Sequence, residues 1–233
     1  MSTFKKMKNC HRPLVIIMAL TAVFLSGCQT LPSTVDKQLP DVSWSTNSEP
    51  FVVDTLRLIK MSDWRYSGKS AVRSIHGNDQ INIDWSFSDS AHSIRLFGPL
   101  GVGAVKIEYD SYGVQMSDNK GVVYSGSDPR ALLYDVTGLS LPLSSLQYWL
   151  FAVPEPGAKF EYREYNSDST DRQLFLRQHG WEINFSEFVE YSSEEPDTQW
   201  VLPKRITANG YDAEGQPVRI KLFTKSWDFA PQR

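Results

Sequence analysis

Cysteine is nearly absent. Only Cys10 and Cys28 occur among the 233 residues, so everything beyond Cys28 folds without an internal disulfide and draws its stability from packing. Long apolar runs are missing too: the N-terminal stretch Leu14 to Phe24 spans eleven residues, too few to cross a hydrocarbon core of about 30 Å as a helix. The net charge is only -3 and no basic run follows the N-terminal segment, which excludes the electrostatic footprint of a nucleic-acid binder. No nucleophile elbow, Walker loop or paired-cysteine zinc motif is present. His11, His76, His92 and His179 lack metal-ligand spacing, and no cofactor is expected.

What is there begins with Lys5, Lys6, Lys8 and Arg12, then the short apolar stretch, then Leu25-Ser26-Gly27-Cys28. A basic flank, a short apolar core and small residues before a cysteine describe an export signal over residues 1–27, with Cys28 as the acylated first residue of the mature chain. Gln29 follows in place of an aspartate, which points to the outer membrane, the periplasmic face being where the anchored chain would sit. Residues 28–50 are rich in Ser, Thr, Pro and Asn and suit a flexible tether with a typical span of roughly 25 Å. Residues 51–233 are enough for one domain with a substantial core, expected to be a monomer.

Within that domain a helix is predicted after Phe51, with Phe51, Val52, Thr55, Leu56 and Ile59 on one face. From Trp64 the period becomes two. Ile81, Ile83, Trp85 and Phe87 alternate with polar residues, as do Val105, Ile107 and Tyr109, then Trp181, Ile183 and Phe185, then Val218, Ile220 and Leu222. Turn signals fall at Gly77-Asn78-Asp79, Asp118 to Gly121 and Asp212 to Gly215. Short connections and clean alternation predict a large antiparallel sheet. Two helices interrupt it. Asp128-Pro129 caps the first, whose stripe is Leu132, Leu133 and Val136 and whose stop is Gly138. Pro142 starts the second, with Leu143, Leu146, Trp149 and Leu150 on one face, Ser144, Ser145, Gln147 and Tyr148 over much of the rest, and Pro154 at its end.

Few groups offer chemistry. Gly98-Pro99-Leu100-Gly101-Val102-Gly103 has no helix behind it to face a phosphate and reads as a tight turn with Leu100 at its apex. Such a leucine either folds back as a plug or, on a tethered protein, dips into lipid for about 1.5 to 3 kcal/mol. Asp84, Glu108 and Glu182 sit at polar alternations and, with Glu187, read as a solvated face rather than an acid/base pair. The chain carries 7 Trp, 10 Tyr and 12 Phe. Inward aromatics such as Trp85, Phe87, Trp181 and Phe185 suit either a filled β-core or a greasy pocket under a helix.

Leu96-Phe97-Gly98-Pro99-Leu100-Gly101, Asp118-Asn119-Lys120-Gly121-Val122-Val123-Tyr124 and the segment Gly138 to Leu150, followed by Gly180-Trp181 and Leu202-Pro203, resemble the outer-membrane lipoprotein receptor family LolB, from roughly Trp64 to Trp227. The resemblance implies a mainly β (α+β) fold, an incomplete antiparallel β-barrel with a helical lid over an apolar cavity. It implies a receptor, not an enzyme, that takes acylated lipoproteins from the periplasmic carrier LolA and inserts them into the inner leaflet of the outer membrane without ATP. Leu100 matches the family's protruding leucine and is the expected membrane-insertion residue. The expected acyl-chain wall is Trp85, Phe87, Leu96, Ile107, Leu146, Trp149, Leu150, Trp181 and Phe185. One departure concerns Ala152, which stands where many relatives have glycine in Trp-Leu-x-Gly-x-Pro. Two other readings stay open: a lipid-anchored structural scaffold with a filled core, and an envelope hydrolase, which would need convergent polar groups.

Overall fold

The computed structural model describes residues 42–61, 63–101, 103–166, 171–192 and 199–229. The export signal, Cys28 and the first part of the tether lie outside them. Three helices and eleven strands follow one another: α1 (Glu49–Lys60), β1 (Asp63–Ser74), β2 (Gly77–Ser88), β3 (Ala91–Phe97), β4 (Val105–Tyr109), β5 (Val114–Asp118), β6 (Val123–Gly126), α2 (Pro129–Thr137), α3 (Leu143–Trp149), β7 (Phe160–Tyr165), β8 (Gln173–Gln178), β9 (Trp181–Ser192), β10 (Gln199–Tyr211) and β11 (Pro217–Phe229). All strands join one antiparallel sheet in the order β6-β5-β4-β3-β2-β1-β11-β10-β9-β8-β7. Two meanders are stitched together where β1 pairs with β11, while β6 and β7 are the two edge strands and do not pair with each other. The sheet is therefore a barrel left open along one seam.

Alternation decides which face is dry. Trp64, Tyr66 and Val72 on β1, Ile83 and Trp85 on β2, Ile183 and Phe185 on β9, and Val218, Ile220 and Leu222 on β11 are all buried in one cluster, and α2, α3 and the segment between them bring Leu133, Leu141, Leu143, Leu146 and Trp149 onto it. α2 is built as its sequence specifies. The Asp128 carboxylate accepts from the amides of Arg130 (2.8 Å) and Ala131 (3.4 Å), and Gly138 closes the helix at φ 71°. The β5–β6 turn is held by Asp118, whose side chain accepts from the amides of Lys120 and Val122, both at 2.9 Å.

Four expectations need correcting. α1 forms, but it buries Phe51 and Leu58, not the stripe Val52, Leu56 and Ile59, which stays 45%, 50% and 61% exposed. The reason is a single large anchor: the Phe51 ring sits edge-on to Phe160 (5.7 Å) and Tyr162 (4.9 Å), and the Arg57 guanidinium stacks over Trp200 at 4.6 Å. The β1–β2 turn is Ile75-His76, with Gly77, Asn78 and Asp79 already in the strand, because pairing Tyr66 with Trp85 fixes the register two residues earlier than the glycine suggested. α3 stops at Trp149, before Pro154, and Ser145, expected among its polar residues, is buried. Finally, the tether is not free up to residue 50: Ser45 pairs with Tyr162 on the β7 edge through bonds of 2.7 and 2.8 Å, and Trp44 lies under Arg163 and Arg177 at 4.6 and 3.8 Å.

Candidate functional site

The dry face of the sheet and the two central helices place eight of the nine expected wall residues together. Trp85, Leu96, Ile107, Leu146, Trp149, Leu150, Trp181 and Phe185 are buried in one contiguous cluster, and Phe87 is half-buried at its margin. They pack on one another in this conformation. Trp149 faces Trp181 at 6.1 Å, and Trp181 lies so close over Gly210 that a Cβ there would collide with its ring. Of the nine, Phe87 borders a recess of about 400 Å³ between α1, α3 and strands β1 to β4, where Leu58, Ile59, Trp64, Tyr109 and Tyr148 also line the wall, and Trp181 lines a trough of about 1290 Å³ at the end of the sheet.

Two polar devices inside this cluster escaped the sequence reading. Gln178 ends the inward series Leu174, Leu176, Gln178 on β8 and ties α3 to the sheet. Its Oε1 accepts from Trp149 Nε1 (3.1 Å) and the Glu155 amide (2.9 Å), and its Nε2 donates to the Glu155 carbonyl (3.0 Å). The Glu155 carboxylate in turn accepts from Ser145 Oγ (2.6 Å) and meets His179 Nε2 at 2.9 Å. The signal was a buried amide at an inward strand position, which must find partners. The second device is His92, whose Nδ1 accepts from Trp85 Nε1 at 3.1 Å while its ring stacks on Tyr109 at 4.4 Å. Burial pushes its pKa down to about 4, so the imidazole is neutral at physiological pH.

Leu100 stands apart from all of this. Gly101 N donates to the Gly98 carbonyl at 3.1 Å, closing the turn that Pro99 initiates, and Leu100 is held at φ 59°, ψ 20° with its side chain fully exposed. A left-handed leucine costs on the order of 1–2 kcal/mol, and this one recovers none of it by packing.

The carboxylates do not converge. Asp84 accepts from Ser67 Oγ (3.0 Å), Glu108 pairs with Lys106 (2.7 Å), Glu182 with Arg177 (3.0 Å) and Glu187 with Arg205 (2.9 Å). Among the described residues no group of three or more His, Cys, Asp or Glu side chains is placed to hold a metal ion. What the arrangement offers is apolar surface under two helices.

A family model described as outer membrane lipoprotein LolB matches residues 62–227. The chain belongs to the LolB family. It is 28% identical over 222 residues to the outer-membrane lipoprotein LolB of Alkalilimnicola ehrlichii, covering 95% of this chain and 100% of that protein. It is 26% identical over 215 residues to the one from Pseudomonas aeruginosa, covering 91% and 95%. Among solved structures, a LolA superfamily protein from Nitrosomonas europaea aligns with 78% of this chain and 94% of that one at 9% identity and a TM-score of 0.38. The matched LolB region contains Leu100 and all nine expected wall residues, whereas Cys28 precedes it.

Proposed function

We propose that this LolB-family protein is the outer-membrane receptor for acylated lipoproteins, anchored through Cys28 on the periplasmic face. It takes cargo from the periplasmic carrier LolA and releases it into the inner leaflet. The observation that carries this reading is Leu100, fully exposed on a left-handed backbone that folding alone gives no reason to keep. An aliphatic tip has a favourable environment in lipid, where its burial contributes about 1.5 to 3 kcal/mol. That is enough to orient a tethered domain and too little to anchor a free one.

The apolar cluster supplies the other half of the transfer. Each CH₂ of an acyl chain exposed to water costs ~0.8 kcal/mol, so cargo must stay covered from carrier to bilayer. An open sheet roofed by α2 and α3 can admit chains by displacing the roof, with Trp85, Phe87, Leu96, Ile107, Leu146, Trp149, Leu150, Trp181 and Phe185 as the wall that receives them. Descending free energy along carrier, receptor and membrane then drives the step without nucleotide. The tightly packed interior is the observation that favours the second reading, a lipid-anchored scaffold with a filled core. One experiment separates the two: mix the receptor with carrier loaded with acylated lipoprotein, in the absence of ATP, and follow the cargo. Transfer to the wild type, with Leu100→Glu accepting cargo but failing to deliver it to vesicles, is expected. Cargo that stays on an active carrier would establish the scaffold reading, and delivery by Leu100→Glu at the wild-type rate would remove Leu100 from the mechanism.

A further inference from the structure

The solvent face of the sheet is uneven in charge. Where β2, β1, β11 and β10 run side by side, three consecutive cross-strand rows carry Asn78–Arg73–Arg219–Asn209, Gln80–Ala71–Lys221–Thr207 and Asn82–Lys69–Phe223–Arg205. These rows hold five cations and no carboxylate, in a chain whose 27 acidic residues outnumber its 24 basic ones. Lys69, Arg73, Arg219, Lys221 and the neighbouring Lys225 are exposed, and among the described residues none of the five is in an ion pair. Arg205 alone of the rows is neutralised, by Glu187. Beside the rows, Glu182 pairs with Arg177 and Asp84 accepts from Ser67, while Asp79 alternates to the opposite side of β2 from Asn78 and Gln80.

Two of the cations are prearranged. Arg73 and Arg219 are direct cross-strand partners, so like charges face each other with Cβ atoms about 5 Å apart, which is unfavourable without an anion between them. Arg73 Nε donates to Asn78 Oδ1 at 2.9 Å and Arg219 Nε to Asn209 Oδ1 at 2.7 Å. Each guanidinium plane is thereby fixed by a neutral amide, leaving its terminal N–H groups without a carboxylate, a geometry suited to phosphate oxygens. Both arginines stand at the rim of a trough of about 1290 Å³ that opens at the end of the sheet, where the β1–β2, β8–β9 and β10–β11 turns meet the inward residues Phe160, Trp181 and Val218, and where Glu161 and Glu182, both paired with Arg177, also line the wall. The basic face also runs directly into the Leu100 turn: Asn82 Nδ2 donates to the Phe97 carbonyl at the foot of that turn (3.3 Å), and Asn82 Oδ1 accepts from Lys225 Nζ (3.2 Å).

We propose that the solvent face of β1 and β11 is a docking surface for anionic lipid headgroups, with Lys69, Arg73, Arg219, Lys221 and Lys225 against the phosphates and Arg73 with Arg219 as the phosphate clamp. The domain then lies on the bilayer by its β1–β11 back, with Leu100 entering the acyl region at the edge of that contact. This rests on the membrane role of Leu100 for its orientation and on the charge pattern for its partner. An uncharged or acidic surface gains nothing from this face.

The test is vesicle partition of the full mature chain carrying Cys28→Ser, so that no acyl anchor masks the contact. Vesicles of phosphatidylcholine alone are compared with vesicles containing phosphatidylglycerol, at low and high salt. The expected result is stronger partition with phosphatidylglycerol, reversed by salt, and a drop of about fivefold for each exposed cation removed. Arg73→Gln/Arg219→Gln and Lys69→Gln/Lys221→Gln serve as independent pairs, with circular dichroism confirming that each is folded. Equal partition onto both vesicle types, or charge variants that partition like the parent, overturns the proposal. Leu100→Glu is measured in parallel. Loss of partition there with unchanged charge variants sinks the headgroup surface and keeps the receptor reading. Loss in the charge variants with unchanged Leu100→Glu keeps the headgroup surface and takes Leu100 out of the membrane contact.

Discussion

Seven non-glycine residues among those described sit at positive φ, and two of them, Ala152 and Leu100, do so for different reasons. Ala152 sits at φ 56° just past the end of α3, the left-handed conformation that glycine adopts freely and that alanine enters at a cost of on the order of 1 kcal/mol. The Ala-for-Gly departure noted in the sequence is thus a strained exit from the roof, and Ala152→Gly should raise the urea midpoint by an amount equivalent to about 0.5–1 kcal/mol without altering cargo transfer. Leu100→Gly should raise stability similarly and yet impair delivery to vesicles, since the strain relieved there is the strain that presents the side chain. A stability gain paired with unchanged delivery would contradict the role given to Leu100. His92 adds a pH dependence. Its pKa of about 4 in the folded protein lies below the ordinary value of about 6.5, so below pH 6.5 the unfolded chain binds a proton that the native one refuses. Stability is complete above that pH and declines as pH falls toward 4, by up to about 3 kcal/mol. Denaturant titrations across this range should show the slope in the wild type and not in His92→Phe, which is destabilised throughout because Trp85 Nε1 loses its acceptor.

Among elements, α1 and α3 teach opposite lessons about legibility. Every strand with clear alternation formed, and Asp128, Pro129 and Gly138 set the limits of α2, because local chemistry alone decides a cap or a pleat. Which side of α1 is buried was not local: of the expected stripe Phe51, Val52, Thr55, Leu56 and Ile59 only Phe51 is buried, joined by Leu58, because Phe160 and Tyr162, over a hundred residues away, provide the seat for the Phe51 ring. Leu58→Ala should therefore cost about 2–5 kcal/mol and Leu56→Gln no more than about 0.5 kcal/mol, the reverse of what periodicity suggests, as chemical denaturation can establish. α3 ends early because Gln178 and Glu155 gather its C-terminal segment, a contact across 29 positions for Trp149 that no helix-stop signal encodes. Removing it with Gln178→Ala leaves the Trp149 N–H and the Glu155 amide without their partner, at about 1–3 kcal/mol for each group left unsatisfied. Faster hydrogen exchange confined to α3 and the segment after it is expected, together with quicker uptake of an acylated probe; unchanged exchange would mean that Gln178 does not fasten the roof.

At the scale of the whole molecule, the sequence disclosed the sheet, its antiparallel sense and the turn that carries Leu100, since these follow from period and punctuation. The basic back of β1 and β11 was visible only in fragments. Arg219 and Lys221 show as the polar half of one strand, and their alignment with Lys69 and Arg73 is a product of a register that pairs residues some 150 positions apart. The interior was legible as a set of residues and not as a shape, because the same inward aromatics fill a core or line a pocket depending on where the roof rests. The unjoined edge strands β6 and β7 bear on that last point mechanically. A closed barrel widens only by breaking ladder hydrogen bonds, whereas this sheet can splay along its seam with every ladder intact, so the resistance to expansion comes from side chains alone. Compliance is then concentrated in one direction, and the volume available to guest chains is set by how far the two halves part rather than by a fixed void.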